Sequence, residues 1–144
     1  MRTLTLLGST GSIGTNTLDV IRKNRHLYQV YALAAGRNVE LLAAQVAEFR
    51  PRVAVVPNSQ TLDMLSVELA RQPLARSEWP HLECGDQARV DVASAGEVDT
   101  VISAIVGVAG LEATYAAARA GKRIGLANKE VLVASGKLVM YKRL

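Results

Sequence analysis

A chain of 144 residues that is 49% apolar and 21% charged has the size and make-up of one globular domain able to bury a full core. Its net charge of +4 comes from 17 basic residues scattered along the sequence with few aromatics between them, which argues against a nucleic-acid surface. A single cysteine, Cys84, excludes an internal disulfide and a cysteine metal cluster, and no apolar run approaches the roughly 18 residues of a membrane helix, so the expectation is a soluble, cytoplasmic protein.

The first stretch, Thr3-Leu4-Thr5-Leu6-Leu7, is the short apolar and β-branched run of a strand buried on both faces, and it leaves no room before it for a signal peptide. Gly8, Gly11 and Gly14 follow. Gly8 permits a sharp turn off the strand, Gly11 has no side chain and lets a pyrophosphate approach the backbone, and Gly14 lets the next helix pack closely. The free N–H groups at that helix's start would face an anion, and the hydroxyls of Ser9, Thr10 and Ser12 add donors in a loop without an acid. The spacing GxxGxxG departs from the GxGxxG dinucleotide fingerprint, so context carries the reading: a strand before it, a helix pattern through Ile13, Leu18 and Ile21 after it, and a second strand, Val30 to Ala35.

The second strand ends in Gly36-Arg37-Asn38, about where an NAD-specific unit carries an acid for the ribose 2′-hydroxyl. No acid stands there. The planar cation of Arg37 suits a 2′-phosphate instead, which favours NADPH over NADH. Asn38 can cap a helix to about Phe49, ended by Pro51; Val53 to Val56 reads as a third strand, and Asn58 or Ser59 caps a helix through Leu69. Gln72 to Asp86 reads as a loop with at most a short strand near Leu82-Glu83, in which Trp79 is a packing residue and His81 a surface one, since no spacing places a partner to activate the histidine. Thr100 to Val106 is the most apolar run and reads as a central strand ending in Gly107; an alanine-rich helix from Leu111 is stopped by Gly121. Arg123 to Ala127 is the last strand, and Asn128, Lys129 and Glu130 sit at its carboxyl end, where ligands of such sheets bind, ahead of a helix from Val131 to Met140. The whole reads as an α/β, doubly wound, mostly parallel sheet of the Rossmann kind.

Four segments in this order, Gly8-Ser9-Thr10-Gly11-Ser12-Ile13-Gly14, Ala35-Gly36-Arg37-Asn38, Ala104-Ile105-Val106-Gly107 and Leu126-Ala127-Asn128-Lys129-Glu130, closely resemble the N-terminal NADPH-binding domain of 1-deoxy-D-xylulose 5-phosphate reductoisomerase. The resemblance runs from Met1 to about Met140 and takes residues 1–144 as that one domain, with the family's catalytic and C-terminal domains outside them. It implies that Gly8, Thr10, Gly11, Ser12 and Ile13 hold the NADPH pyrophosphate and adjoining groups. Gly36, Arg37 and Asn38 hold the adenosine ribose phosphate, Asn128 and Glu130 further cofactor, and Lys129 the phosphosugar. The reaction implied converts 1-deoxy-D-xylulose 5-phosphate to 2-C-methyl-D-erythritol 4-phosphate in non-mevalonate isoprenoid synthesis, with a manganese or magnesium ion. The family's acidic metal ligands lie in a motif shortly after the Asn-Lys-Glu segment, past Leu144. No metal site and no catalytic residue is therefore expected among these residues, and the chain alone is expected to be inactive. The family is a homodimer through surfaces outside this segment. Val131 stands where a serine often follows the glutamate.

Two other readings exist: a stand-alone nucleotide-binding module, and a short-chain dehydrogenase, which needs a tyrosine and a lysine four residues apart. Tyr115 is followed at that spacing by Arg119, a poor proton relay, which weakens the latter.

Overall fold

A computed structural model describes residues 1–105 and 110–126. Its described elements alternate strand and helix. β1 (Arg2–Leu7), α1 (Ser12–Lys23) and β2 (Tyr28–Ala34) form the first βαβ unit, and α2 (Val39–Phe49), β3 (Val53–Val56) and α3 (Ser59–Ala70) extend it. A single 3-10 turn (Arg76–Glu78) precedes β4 (His81–Cys84), α4 (Asp86–Ser94), β5 (Thr100–Ser103), α5 (Leu111–Arg119) and β6 (Arg123–Leu126).

The six described strands form one sheet in the order β4-β3-β2-β1-β5-β6, with every pairing parallel. The chain therefore starts in the middle, builds outward through β4, then returns to the other side of β1. The carboxyl ends of β1 and β5 are the switch point where such sheets bind ligands.

Both sheet faces are covered, which is why Leu4 to Leu7 of β1 and Ala54 to Val56 of β3 are buried without a break. Leu4, Leu6, Leu33, Ala54, Val56 and Ile102 pack with Leu18 of α1, Leu42 of α2 and Leu65 of α3 on one face. Leu7, Ala32, Ala34, Val55 and Val101 pack with Val92 of α4 and Ala113 of α5 on the other. Leu4, Leu6 and Leu7 are all fully buried, each contributing about 1.5–3 kcal/mol of transfer free energy. Thr5 satisfies its buried hydroxyl by donating to the Val92 carbonyl of α4 at 2.7 Å.

Local signals set the helix ends. Asn38 and Asn58 accept from the N–H groups of Leu41 and Thr61 at 3.2 and 2.8 Å, as N-caps do. At the end of α5, Gly121 takes φ +80°, Gly121 N–H donates to Ala118 and Lys122 N–H to Ala117, the paired bonds of a Schellman stop.

Three expectations change. The stretch expected to be mostly loop holds a full edge strand, β4, paired with β3 from Val53 opposite His81 to Val56 opposite Cys84. A helix not expected at all, α4, follows it. The central strand β5 ends at Ser103 instead of Val106, because its partner β1 ends at Leu7, opposite Ser103; the Ala104 N–H gives Leu7 a last bond at 2.8 Å and Gly8 then turns away. Val106, Gly107 and the segment from Ala127, including Asn128, Lys129, Glu130 and the helix expected after them, lie outside the described residues.

Candidate functional site

The three glycines of the first loop have three different surroundings. Gly8 takes φ +87°, and a Cβ built on it would lie 2.8 Å from the carbonyl carbon and oxygen of Ala104, so the loop's first residue presses on the chain leaving β5. A Cβ on Gly14 would lie 2.1 Å from the Gly8 carbonyl oxygen, because α1 starts directly under the loop. Gly11 is different: beyond its chain neighbours, the nearest atom to such a Cβ is the Gly8 oxygen at 3.8 Å, which leaves the space in front of it open. The sharp turn at Gly8, the open space at Gly11 and the close helix at Gly14 thus follow the expected order among the described residues.

The loop is tied to the end of β2, since the N–H groups of both Gly8 and Ser9 donate to the Ala34 carbonyl, at 2.7 and 3.0 Å. By contrast, among the described residues the N–H groups of Thr10, Gly11, Ser12 and Ile13 donate to no protein acceptor. Gly11 and Ser12 are exposed, Thr10 and Ile13 half-buried, and the first turn of α1 carries no acid. A helix start whose donors are unused and whose approach is open among the described residues has the chemistry and the dipole that suit an anion. Ser9 does not join it with its hydroxyl: that side chain is fully buried, so only Thr10 and Ser12 of the three expected hydroxyls are placed to face a ligand.

Gly36, Arg37 and Asn38 are exposed just past β2, on the side of the sheet's carboxyl edge where Ala34 anchors the loop. Among the described residues no carboxylate pairs with Arg37. A Cβ on Gly36 would meet nothing within 4 Å. Asn38 spends its side-chain oxygen on the α2 cap, leaving its amide group for other partners.

Two contributors carry weak sequence signals. Ala104 backs Gly8 through its carbonyl alone, which no side chain advertises. Gln45, buried in α2, donates to the Ser9 carbonyl at 2.9 Å; its signal is a polar residue within the apolar stripe of Leu42, Val46 and Phe49.

Trp79 is a packing residue and His81 a surface one, as expected, but His81 does have a carboxylate partner, Glu83, two residues along β4. Trp79 packs against the core with the Arg76 guanidinium 4.6 Å from its ring, and exposed His81 meets Glu83 at 2.6 Å. Tyr115 is exposed, with Arg119 5.8 Å from its ring on the outer face of α5. Among the described residues no three His, Cys, Asp or Glu side chains are grouped to hold a metal. Asp99 sits at the opposite, amino edge of the sheet, where its carboxylate accepts from the Thr3 N–H at 3.0 Å. No described helix is long and apolar enough to cross a membrane.

Fold and loop together define a dinucleotide-binding α/β domain. The family model for 1-deoxy-D-xylulose 5-phosphate reductoisomerase matches residues 4–136, and the chain belongs to that family. It is 65% identical over 140 residues to the reductoisomerase of Solibacter usitatus (strain Ellin6076) and 51% identical to that of Janthinobacterium sp. (strain Marseille), covering 97% of this chain and 35% of each relative. The chain thus spans about a third of the length of the curated relatives it matches. Among solved structures, the reductoisomerase of Zymomonas mobilis in complex with NADPH superposes with a TM-score of 0.78 at 42% identity, over 93% of this chain and 34% of that one. A DOX-P reductoisomerase crystallised with magnesium gives a TM-score of 0.80 at 41% identity, over 92% of this chain and 32% of that one.

Proposed function

We propose that residues 1–144 are the NADPH-binding domain of an enzyme that rearranges and reduces 1-deoxy-D-xylulose 5-phosphate to 2-C-methyl-D-erythritol 4-phosphate. The observation that carries the reading is the set of free N–H groups from Thr10 to Ile13 around the open face of Gly11, which fits a pyrophosphate held by backbone donors. Gly8 shapes that turn. Gly36, Arg37 and Asn38 receive the adenosine ribose, with Arg37 paired to the 2′-phosphate. Asn128 and Glu130 complete the cofactor's seat and Lys129 meets the substrate phosphate. The NADPH complex of the Zymomonas mobilis relative supports this assignment.

Bound NADPH supplies the hydride for the reduction. The chain's own part is to hold and orient: backbone donors at the start of α1 neutralise the pyrophosphate at the switch point of the sheet. The residues described do not fit a divalent metal, which needs several oxygen ligands at one site, so no step through it is assigned to them. The metal-binding, catalytic and dimer-forming parts belong to the remaining two-thirds of the family's length, in a protein of the cytoplasm.

Equilibrium titration with NADPH and NADH, in the wild type and in Arg37→Ala, tests the reading. NADPH should bind the wild type about ten- to a hundredfold more tightly than NADH, the worth of one charge-assisted contact, and Arg37→Ala should remove most of that gap. Equal affinities in the wild type would overturn the assignment of Arg37.

A further inference from the structure

Gln45 is only 5% exposed, and it lies on α2 between the apolar residues Leu42, Val46 and Phe49 that bind this helix to the core. A carboxamide at such a position gives up its water, and here it recovers one bond: Nε2 donates to the Ser9 carbonyl, 36 residues earlier in the chain, at 2.9 Å, while Oε1 finds no partner among the described residues. An apolar side chain of equal size would fill the place without leaving an orphaned oxygen. What the carboxamide adds is control of one peptide group.

That peptide is the one between Ser9 and Thr10. Ser9 is pinned at both ends, its N–H on the Ala34 carbonyl at 3.0 Å and its carbonyl by Gln45. In a planar trans peptide the carbonyl and the following N–H point in opposite directions. A Ser9 carbonyl held inward toward α2 therefore turns the Thr10 N–H outward, to the side where the loop's free donors lie. Gly14, whose Cβ would come within 2.7 Å of that same carbonyl oxygen, leaves the room for this arrangement.

Building on the NADPH reading above, we infer that Gln45 is a positioning residue for the pyrophosphate: it fixes the orientation in which Thr10 presents its N–H to the phosphate oxygens. Without the carboxamide donor, the Ser9–Thr10 peptide is free to turn, and a turned peptide would set a carbonyl oxygen against an anion.

The test compares two ligands in the wild-type protein, in Gln45→Met, which keeps the length but removes the donor, and in Gln45→Glu, which puts an acceptor in its place. NADPH contains the pyrophosphate; adenosine 2′-monophosphate reaches only the Gly36 to Asn38 side of the site. The expected result is an NADPH dissociation constant raised roughly tenfold in Gln45→Met, and further in Gln45→Glu, with that for adenosine 2′-monophosphate unchanged. A purely structural role would weaken both ligands together, in step with the melting temperature, and that outcome would overturn the inference. So would unchanged NADPH affinity in both variants. Failure of the wild type to bind NADPH at all would overturn the site reading itself, and this inference with it.

Discussion

The α-carbon of Gly14 faces the carbonyl oxygen of Gly8 so closely that a methyl group on Gly14 would lie 2.1 Å from that oxygen and 2.7 Å from the Ser9 carbonyl group. The obstruction is backbone, which cannot swing aside as a flexible side chain would. This contact brings the start of α1 directly under the loop.

Gly14→Ala should therefore destabilise the protein by about 1–3 kcal/mol, the ordinary cost of forcing an extra methyl into a packed site. Gly11→Ala, with open space in front of it, should leave thermal stability within about 0.5 kcal/mol of the wild type. Thermal melts of both variants check the contrast. Equal melting temperatures would mean that the helix start is not packed as described.

Glu48 predicts a dependence on pH. Its carboxylate takes two hydrogen bonds from Arg22 across the α1–α2 seam, one of them 2.9 Å long, and Arg25 approaches at 3.5 Å. The Arg22 bonds, and then the positive charge of both arginines, hold the Glu48 carboxyl below its usual value. A carboxylate with a lowered folded-state pKa contributes stability above its unfolded value, near 4.5, and loses that contribution as the pH falls through its folded value. The group is partly exposed and screened, so the contribution is no more than about 1 kcal/mol. Glu48→Gln should melt lower than the wild type at pH 7 and level with it at pH 2–3. A gap that persists at low pH would assign the effect to packing around Phe49, whose ring lies 4.5 Å from the Arg25 guanidinium.

Residues 1–144 on their own should turn over no 1-deoxy-D-xylulose 5-phosphate with saturating NADPH and manganese or magnesium. Past the last described strand the chain contains one further acid, Glu130, and the described acids form no metal-binding group. Without the metal the rearrangement loses several kcal/mol of charge stabilisation, more than about a thousandfold in rate. The check is NADPH consumption beside a full-length family member. Metal-dependent turnover at a comparable rate would place the catalytic centre within these residues.

The elements most legible in the sequence were those whose burial is two-sided. Leu4 to Leu7 and Val53 to Val56 are read as strands because both faces are covered, and Asn38, Pro51, Asn58 and Gly121 mark their helix ends by chemistry that works locally. β4 and α4 lack those signals. His81-Leu82-Glu83-Cys84 alternates charge and apolar character because an edge strand is only half covered, with His81 exposed. α4 buries only Ala88, Val92 and Ala93, so its apolar stripe is too thin to show a helical period. In the site, Gly8 and Gly14 were legible because a left-handed φ at the first and backbone contact at the second exclude a side chain, whereas Gly11 was legible by its place between them. The Ala34 and Ala104 carbonyls were not, since any residue supplies a carbonyl and only the sheet order brings them to the loop. Ser9 was expected to face the ligand as a loop hydroxyl; the turn at Gly8 carries it inward instead, where its Oγ is fully buried.

The central claim is that the open face of Gly11 is where the cofactor's pyrophosphate lies, and one substitution tests it most directly. Gly11 has φ −78° and ψ 174°, extended backbone that valine adopts without strain, and a Cβ there meets no atom of the described residues closer than the Gly8 oxygen at 3.8 Å. It would fill the ligand's space and little else. Circular dichroism and a thermal melt of Gly11→Val should match the wild type, while NADPH titration should show binding lost or weakened at least about a hundredfold. A folded Gly11→Val protein that binds NADPH with wild-type affinity would contradict the account.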